Sequence, residues 1–442
     1  MAAPSDALLA ELIDWLRIPS ISSGGGNQAD LDRAAAWACE RIVAAGGTAE
    51  ALSGYGNALV VGELRSKRSD APTVLVYGHY DVQSADPIEL WASDPFEPTI
   101  RDGRLYARGA SDDKGNMLPL LHVACGLAKA GELPVHVRFL LEGDEEVLGT
   151  GVLRYVTEDA RGADCAIVFD ADMLDARTPA ITVATRGSIA CQLKITTGVR
   201  VLHSGVFGNA AANATHVLTQ MLATVLPGPD GLLPASLRAG LTVPTEAELE
   251  AWKALPPGDE MLREAGAIPS HPDAGPLFYE RTWADASLDV SGIAGGDPAQ
   301  QRTIIPYEAS ARLNMRVAAG QSAEGVRDSL EQLLRAAAPA GAKVDFTAHC
   351  VRAAGFDPSS PALVLAADAL TAACGVPCVL KRSGGSIPVL AAFSDRGIPT
   401  LCSGFALESD HIHAANESFR LESLALGERA ASELYQALAR LP

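Results

Sequence analysis

Two textures of hydrophobic patterning divide this chain, and together they leave few folds open. From residue 5 to about 185, short apolar runs (Thr73–Tyr77, Val135–Leu141, Cys165–Phe169) alternate with stretches of helical spacing (Asp6–Leu16, Asp30–Ala45, Met117–Ala130). That alternation predicts an α/β sheet layered with helices. Between about 188 and 352 the period changes. Ser188–Thr196, Ala309–Val317 and Lys343–Val351 alternate with period two, while Ala212–Thr224 and Ala323–Ala338 read as helices. These predict a small α+β domain covered on one face. From about 353 the first texture returns, with a helix over Pro361–Cys374, strands over Cys378–Lys381 and Pro399–Ser403, and a long final helix over Leu421–Leu441. The economical arrangement is one α/β domain (1–187 and 353–442) interrupted by an inserted α+β domain (188–352).

Bulk properties exclude several function classes. A chain of 442 residues exceeds what one compact core usually holds, in line with two domains. A net charge of −19 argues against nucleic acid or an anionic membrane surface as partner, since both call for basic patches. No run of about 18 apolar residues predicts a membrane span. The start, MAAPSDALLAELIDWLRIPS, reads as an amphipathic helix and not a signal peptide. The eight cysteines are scattered, which predicts reduced thiols in a cytoplasmic protein. Cys374 and Cys378 lack the second pair or nearby histidine of a zinc site and read as core residues. Ser22–Asn27 is a flexible loop without the glycine order of a nucleotide site, and Leu226–Pro276 reads as surface loops with a short helix.

The chemistry-bearing residues share one position, just after an apolar run. His79 and Asp81 follow Thr73–Tyr77, Glu145 and Glu146 follow Val135–Leu141, and Asp170 follows Cys165–Phe169. Ligand sites in open α/β sheets gather outside the carboxyl ends of strands, so these residues are candidates to converge. Asp112–Asp113 precedes a helix, and SDHIHAANES carries His411 and His413. Singly, each has an ordinary reading: a helix cap for Asp112, a solvated turn for the glutamates, surface histidines. As a set, imidazoles and carboxylates are what a divalent metal takes. A two-metal site would also account for two adjacent glutamates, one neutralised as a ligand and one handling a proton.

The motifs GHYDVQ, RGASDDKG, EGDEE, the aspartate after IVF, LHSG, RSGGSIP and HAANE, in this order and spacing, resemble the M20 family of metallopeptidases, and within it the carnosinase-like (cytosolic nonspecific dipeptidase-like) branch. The resemblance spans nearly the whole chain. It implies a three-layer α/β metallopeptidase domain with a mixed sheet, the inserted domain serving as lid and dimerisation domain. It implies two divalent metal ions, zinc first with manganese or cobalt as alternatives, held by His79, Asp112 as bridge, Glu146, Asp170 and His413, with His411 the rival of His413. Asp81 would hydrogen-bond His79, Glu145 would be the general base acting with a metal-activated water, and Asp113 is not a ligand. His203 in LHSG would stabilise the oxyanion in the partner subunit's site, which calls for a homodimer. Arg316 would bind a substrate carboxylate, with Thr303, Ser386 and Gly385 as further substrate contacts; Arg302 and Arg312 lie close to Arg316 in sequence. The branch usually has Glu where Ser383 stands and often Lys where Arg302 stands. Loss of that carboxylate leaves the substrate open between a dipeptide or short peptide with a free carboxylate and an N-acyl or N-carbamoyl amino acid. A ligand-binding module without catalysis is the third reading, and the intact Glu145 argues against it.

Overall fold

The structure, a computed structural model, describes residues 3–297 and 299–442. Its main elements in chain order are α1 (Asp6–Leu16), α2 (Gln28–Ala44), β1 (Thr48–Leu52), β2 (Leu59–Leu64), β3 (Thr73–His79), α3 (Lys114–Ala130), β4 (His136–Glu142), β5 (Cys165–Phe169), β6 (Gly187–Thr196), α4 (Ala214–Ala223), β7 (Ser287–Ala294), β8 (Glu308–Val317), α5 (Ala323–Ala337), β9 (Lys343–Val351), α6 (Pro361–Cys374), β10 (Thr400–Ser403) and α7 (Leu421–Leu438). They fall into two compact units, Met1–Val183 with Phe356–Lys381 and Ala392–Pro442, and Ala184–Gly355 with Arg382–Ala391. Arg382–Ala391 groups with the second of these units.

The first unit is built on a six-stranded mixed sheet in the order β1-β2-β4-β3-β5-β10. The four strands β4, β3, β5 and β10 run parallel, and β2 is antiparallel to β4. β4 and β5 are buried at every position, so both of their faces are covered, which is why they read as unbroken apolar runs. α1 starts at Ser5, whose side chain accepts the Leu8 N–H, and α2 at Asn27, whose side chain accepts the Asp30 N–H. The two helices meet through Trp15 stacked on Trp37, ring centres 4.9 Å apart. The parallel strands point their carboxyl ends, hence His79, Glu142 and the residues after Phe169, toward one edge of the sheet. Gly78 lets the start of α3 approach β3: a Cβ there would stand 2.3 Å from Met117 Cγ and 2.8 Å from Asp113 Oδ2.

The second unit is a four-stranded antiparallel sheet, β7-β8-β6-β9. β6 alternates buried and less buried residues along its length, the signature of a sheet covered on one face. Leu218 and Met221 of α4 and Leu330 and Leu334 of α5 join Leu193 and Leu313 in its core. The loop region expected to hold one short helix contains two α-helices, Glu246–Trp252 and Gly258–Glu264, with a third, Phe278–Trp283, just beyond. The first opens on a capping box between Thr245 and Glu248. Glu248 is buried there because Arg382, equally buried, meets both of its oxygens at 2.7 and 3.1 Å. Breaking such a pair costs about 3–5 kcal/mol, so it fixes Arg382–Ala391 to this unit.

Candidate metal centre and substrate-contact residues

Within the first unit, the carboxyl end of β3 delivers His79, fully buried, to a cluster of carboxylates. His79 Nε2 lies 3.1 Å from Asp112 Oδ1. The other oxygen of that carboxylate, Oδ2, lies 2.9 Å from His413 Nε2, and His413 Nε2 lies 3.2 Å from Glu146 Oε2. Ligand atoms of His79, Asp112 and Glu146 all fall within 4.8 Å of one another. Asp170 follows β5 and lines, with Asp112, a cavity of about 550 Å³. His411 lines that cavity too, while the ring of His413 makes the contacts to Asp112 and Glu146. Both histidines and Asn416 hold left-handed backbone (φ 56°, 60° and 62°), an uncommon state for non-glycine residues that the loop keeps while presenting His413.

Asp81 contacts both His79 and the Glu145–Glu146 turn. His79 Nδ1 lies 3.0 Å from the Asp81 carbonyl and 3.4 Å from its carboxylate. The carboxylate accepts from Ser22 Oγ (2.6 Å) and from the backbone N–H of Glu146 (3.2 Å) and Glu145 (3.4 Å). It therefore ties the Glu145–Glu146 turn to the end of β3. Asp113, at the head of α3, is buried and accepts the His79 backbone N–H (3.2 Å).

Electrostatics mark the cluster as built for cations. Burial pushes the Asp170 carboxyl well above the usual range, with Asp112, Glu145 and Glu146 adding to the effect against His79. Glu145 is raised by burial and by Asp112 and Glu146, again opposed by His79. His413 is pushed up to about 10 by its hydrogen bonds to Asp112 and Glu146. Burial opposes charge on His79, yet Asp112 and Asp81 hold it well above its ordinary value. Four carboxylates facing two imidazoles leave an excess of negative charge, and a divalent metal fits both the donor types and that excess.

Residues that sequence reasoning left without a role hold this cluster. Glu417, the last residue of HAANE, is buried and accepts the backbone N–H of Ser111 (2.9 Å), Asp112 (3.1 Å) and Gly109 (3.0 Å) and the Arg108 guanidinium (2.6 Å). Asp410, also buried, accepts the Ser111 hydroxyl (2.9 Å). Gln83 donates to Glu146 Oε2 (2.9 Å). Ser22, from the loop read as merely flexible, holds Asp81. A carboxylate inside a recognised motif was the signal available for Glu417; nothing in sequence marks Ser22.

The other expected site residues lie in the second unit and form two groups. His203 pairs with Ile304 across the two-stranded ribbon Leu202–His203 and Ile304–Ile305, beside Thr303, whose carbonyl accepts the Ser204 N–H at 2.9 Å. The Gly205 N–H donates to His203 Nδ1 (3.0 Å), so the neutral ring carries its proton on Nε2. Arg316, on β8, lies with Nη1 3.4 Å from Ser386 Oγ, and Gly385 precedes Ser386 with its N–H on Ser383 Oγ (3.1 Å).

A mixed α/β unit with imidazoles and carboxylates gathered at its strand ends defines a metal-dependent hydrolase. The chain belongs to peptidase family M20/M25/M40, whose sequence profile matches residues 75–437. A cysteinylglycine-S-conjugate dipeptidase of Corynebacterium striatum is 30% identical over 382 residues, 81% of this chain and 80% of the relative. A beta-Ala-His dipeptidase of Homo sapiens is 30% identical over 253 residues, 55% of this chain and 50% of the relative, so that alignment spans half of the human protein. Among solved structures, an M20 family metallo-carboxypeptidase from Sulfolobus solfataricus superposes with a TM-score of 0.83 at 25% identity, covering 99% of this chain and 100% of its own. The chain is thus an enzyme of the metallopeptidase class. Among its described residues no helix is long and apolar enough to cross a membrane.

Proposed function

We propose that this enzyme is a dinuclear metal-dependent dipeptidase that cleaves the amide bond of a dipeptide or short peptide bearing a free carboxylate. The observation that carries the proposal is the Asp112 carboxylate, one oxygen toward His79 and the other toward His413. In this reading Asp112 would be shared between two cations, with His79 and Asp170 holding one and Glu146 and His413 the other. When bound, the cations polarise the scissile carbonyl and acidify a water; zinc suits the donors, as do manganese and cobalt. Glu145, held by its N–H on Asp81, takes the proton from the attacking water and hands it to the leaving amine. His203 of the second subunit of a homodimer donates its Nε2–H to the developing oxyanion. Arg316 receives the substrate carboxylate, with Ser386, Gly385 and Thr303 around it. The free thiols of all eight cysteines support a cytoplasmic home.

One observation favours a second reading. Ser383 is neutral and its hydroxyl oxygen is occupied by the Gly385 N–H, so this position offers no carboxylate to a substrate ammonium. That suits an N-acyl or N-carbamoyl amino acid. A hydrolysis panel of dipeptides, N-acetyl, N-succinyl and N-carbamoyl amino acids, run with zinc, manganese and cobalt, separates the two. Dipeptide turnover exceeding all N-acyl turnover supports the dipeptidase; the reverse order overturns it.

A further inference from the structure

Arg186, which joins the end of strand Ala180–Thr185 to β6, touches the Ser383–Ser386 loop at three points. Its backbone N–H donates to the Ser383 carbonyl (3.1 Å). Its own carbonyl accepts the Ser386 hydroxyl (2.6 Å). Its Nε–H donates to the Gly384 carbonyl (3.4 Å). A Cβ on Gly384 would meet the Arg186 guanidinium and the Thr282 carbonyl, each at 3.1 Å, so the loop needs glycine there to lie against this arginine.

The guanidinium of Arg186 also stands beside that of Arg316. Arg186 Nη1 lies 3.4 Å from Ser287 Oγ, and Ser287 is the residue directly opposite Arg316 between β7 and β8. Ser386 is within reach of both: Arg316 Nη1 approaches its hydroxyl oxygen, and that hydroxyl donates to the Arg186 backbone carbonyl. Among the described residues neither arginine has a carboxylate at ion-pair distance. The Asp285 carboxylate is taken by Arg238 (2.8 and 3.0 Å) and Arg281 (3.0 Å), leaving only its carbonyl, at 3.4 Å, to Arg186. Asp289 is exposed and pairs in register with Asn314. Burial, and then the charge of Arg316, hold the Arg186 guanidinium down to about 10. Two like charges held close together in a half-buried place are costly unless an anion joins them.

We infer that Arg186 is a positioning and specificity residue of the substrate-carboxylate site: it clamps the Ser383–Ser386 loop and adds a second positive charge beside Arg316, so that the site requires a free carboxylate over its amide. The inference rests on the reading of Arg316 and Ser386 as substrate contacts. Arg186 acts through the loop and the local field, with Arg316 as the direct partner of the carboxylate.

The test compares kcat and KM for Cys-Gly and for Cys-Gly amide in the metal-loaded wild type, Arg186→Gln, Arg186→Lys and Arg316→Gln, each checked for metal content and secondary structure. In Arg186→Gln the KM for Cys-Gly should rise about tenfold or more while kcat changes far less and the amide is barely affected, the loss expected for one charge-assisted interaction. Arg186→Lys keeps a cation without the fork and should fall between, with the acid-over-amide preference reduced about threefold or more. An unchanged preference in Arg186→Gln, or acid and amide weakened alike, overturns the inference. Should Arg186→Gln fail to fold, the preference in Arg186→Lys decides in the same way. If the wild type itself shows no preference for acid over amide, the carboxylate reading of Arg316 has failed; if Arg316→Gln loses the preference and Arg186→Gln keeps it, only the inference about Arg186 falls.

Discussion

His413 and Asp112 meet at 2.9 Å, Nε2 to Oδ2, although 301 positions separate them in the chain. The contact joins the loop before the last helix to the loop before α3, and it places the second imidazole on the opposite carboxylate oxygen from His79. A carboxylate approached from both oxygens by imidazoles from distant parts of a chain is an arrangement the peptide backbone alone does not require.

If Glu145 moves the proton, Glu145→Gln should keep the bound metal, since the amide leaves the neighbouring Glu146 and the Asp81 anchor in place. Turnover should fall by about 10²–10⁴-fold, the usual contribution of general acid–base catalysis. Metal analysis alongside steady-state kinetics checks this. Near-normal kcat would remove Glu145 from the mechanism.

Glu417 shows how much of the site lies behind the proposed ligands. It holds three backbone N–H groups of Gly109, Ser111 and Asp112 and the Arg108 guanidinium. Glu417→Gln keeps the shape but turns one acceptor oxygen into a donor facing donors. Metal affinity should drop about 10–100-fold, as for other groups that orient a ligand. Competition with a fluorescent zinc chelator measures the change; an unaltered affinity would show that the Arg108–Asp112 loop holds its form unaided.

Glu142 ends β4 with Tyr77 Oη donating to its Oε1 at 2.5 Å. Burial pushes its carboxyl up to about 8, against the Tyr77 hydrogen bond, with Asp81 and Glu145 adding. The folded value lies above the unfolded one of about 4.3, so the stabilisation is full below the unfolded value and is lost as pH rises through the folded one. In metal-stripped protein, Glu142→Gln should therefore gain denaturation midpoint relative to wild type as pH rises from about 4.3 to about 8, with no further gain above that. Urea titrations across that range check it; a pH-independent difference would contradict the burial argument.

The proposed action of His203 across subunits has its own signature. His203→Ala and Arg316→Ala chains should each be nearly inactive alone. A mixed dimer should regain one working site, because one metal centre would combine an intact Arg316 from its own chain with an intact His203 from the partner. An inactive mixed dimer, its composition verified by differential tags, would place His203 with its own chain's centre or outside the reaction.

The sequence carried much of this architecture for a physical reason. Strands buried on both faces, such as β5, read as unbroken apolar runs, and Asp6–Leu16 and Pro361–Cys374 come out as helices over the same residues. β1, β2 and β7 escaped notice because their burial is partial or their composition carries glycine and charge. The helices in the Leu226–Pro276 region were hidden by proline and charge, and Glu248, which anchors the first of them, finds its partner Arg382 134 positions away. In the site, ligand types recurring after apolar runs were visible residue by residue. Long-range acceptors such as Glu417 and Asp410 were not, because their partners are backbone N–H groups and hydroxyls that any loop possesses.

The most direct test of the central claim is an anomalous-difference map of crystals grown with zinc. The account predicts two peaks, both within about 2.0–2.2 Å of the Asp112 carboxylate, one shared with His79 and Asp170 and the other with Glu146 and His413. A single peak, or two peaks with Asp112 bound to neither, would contradict it.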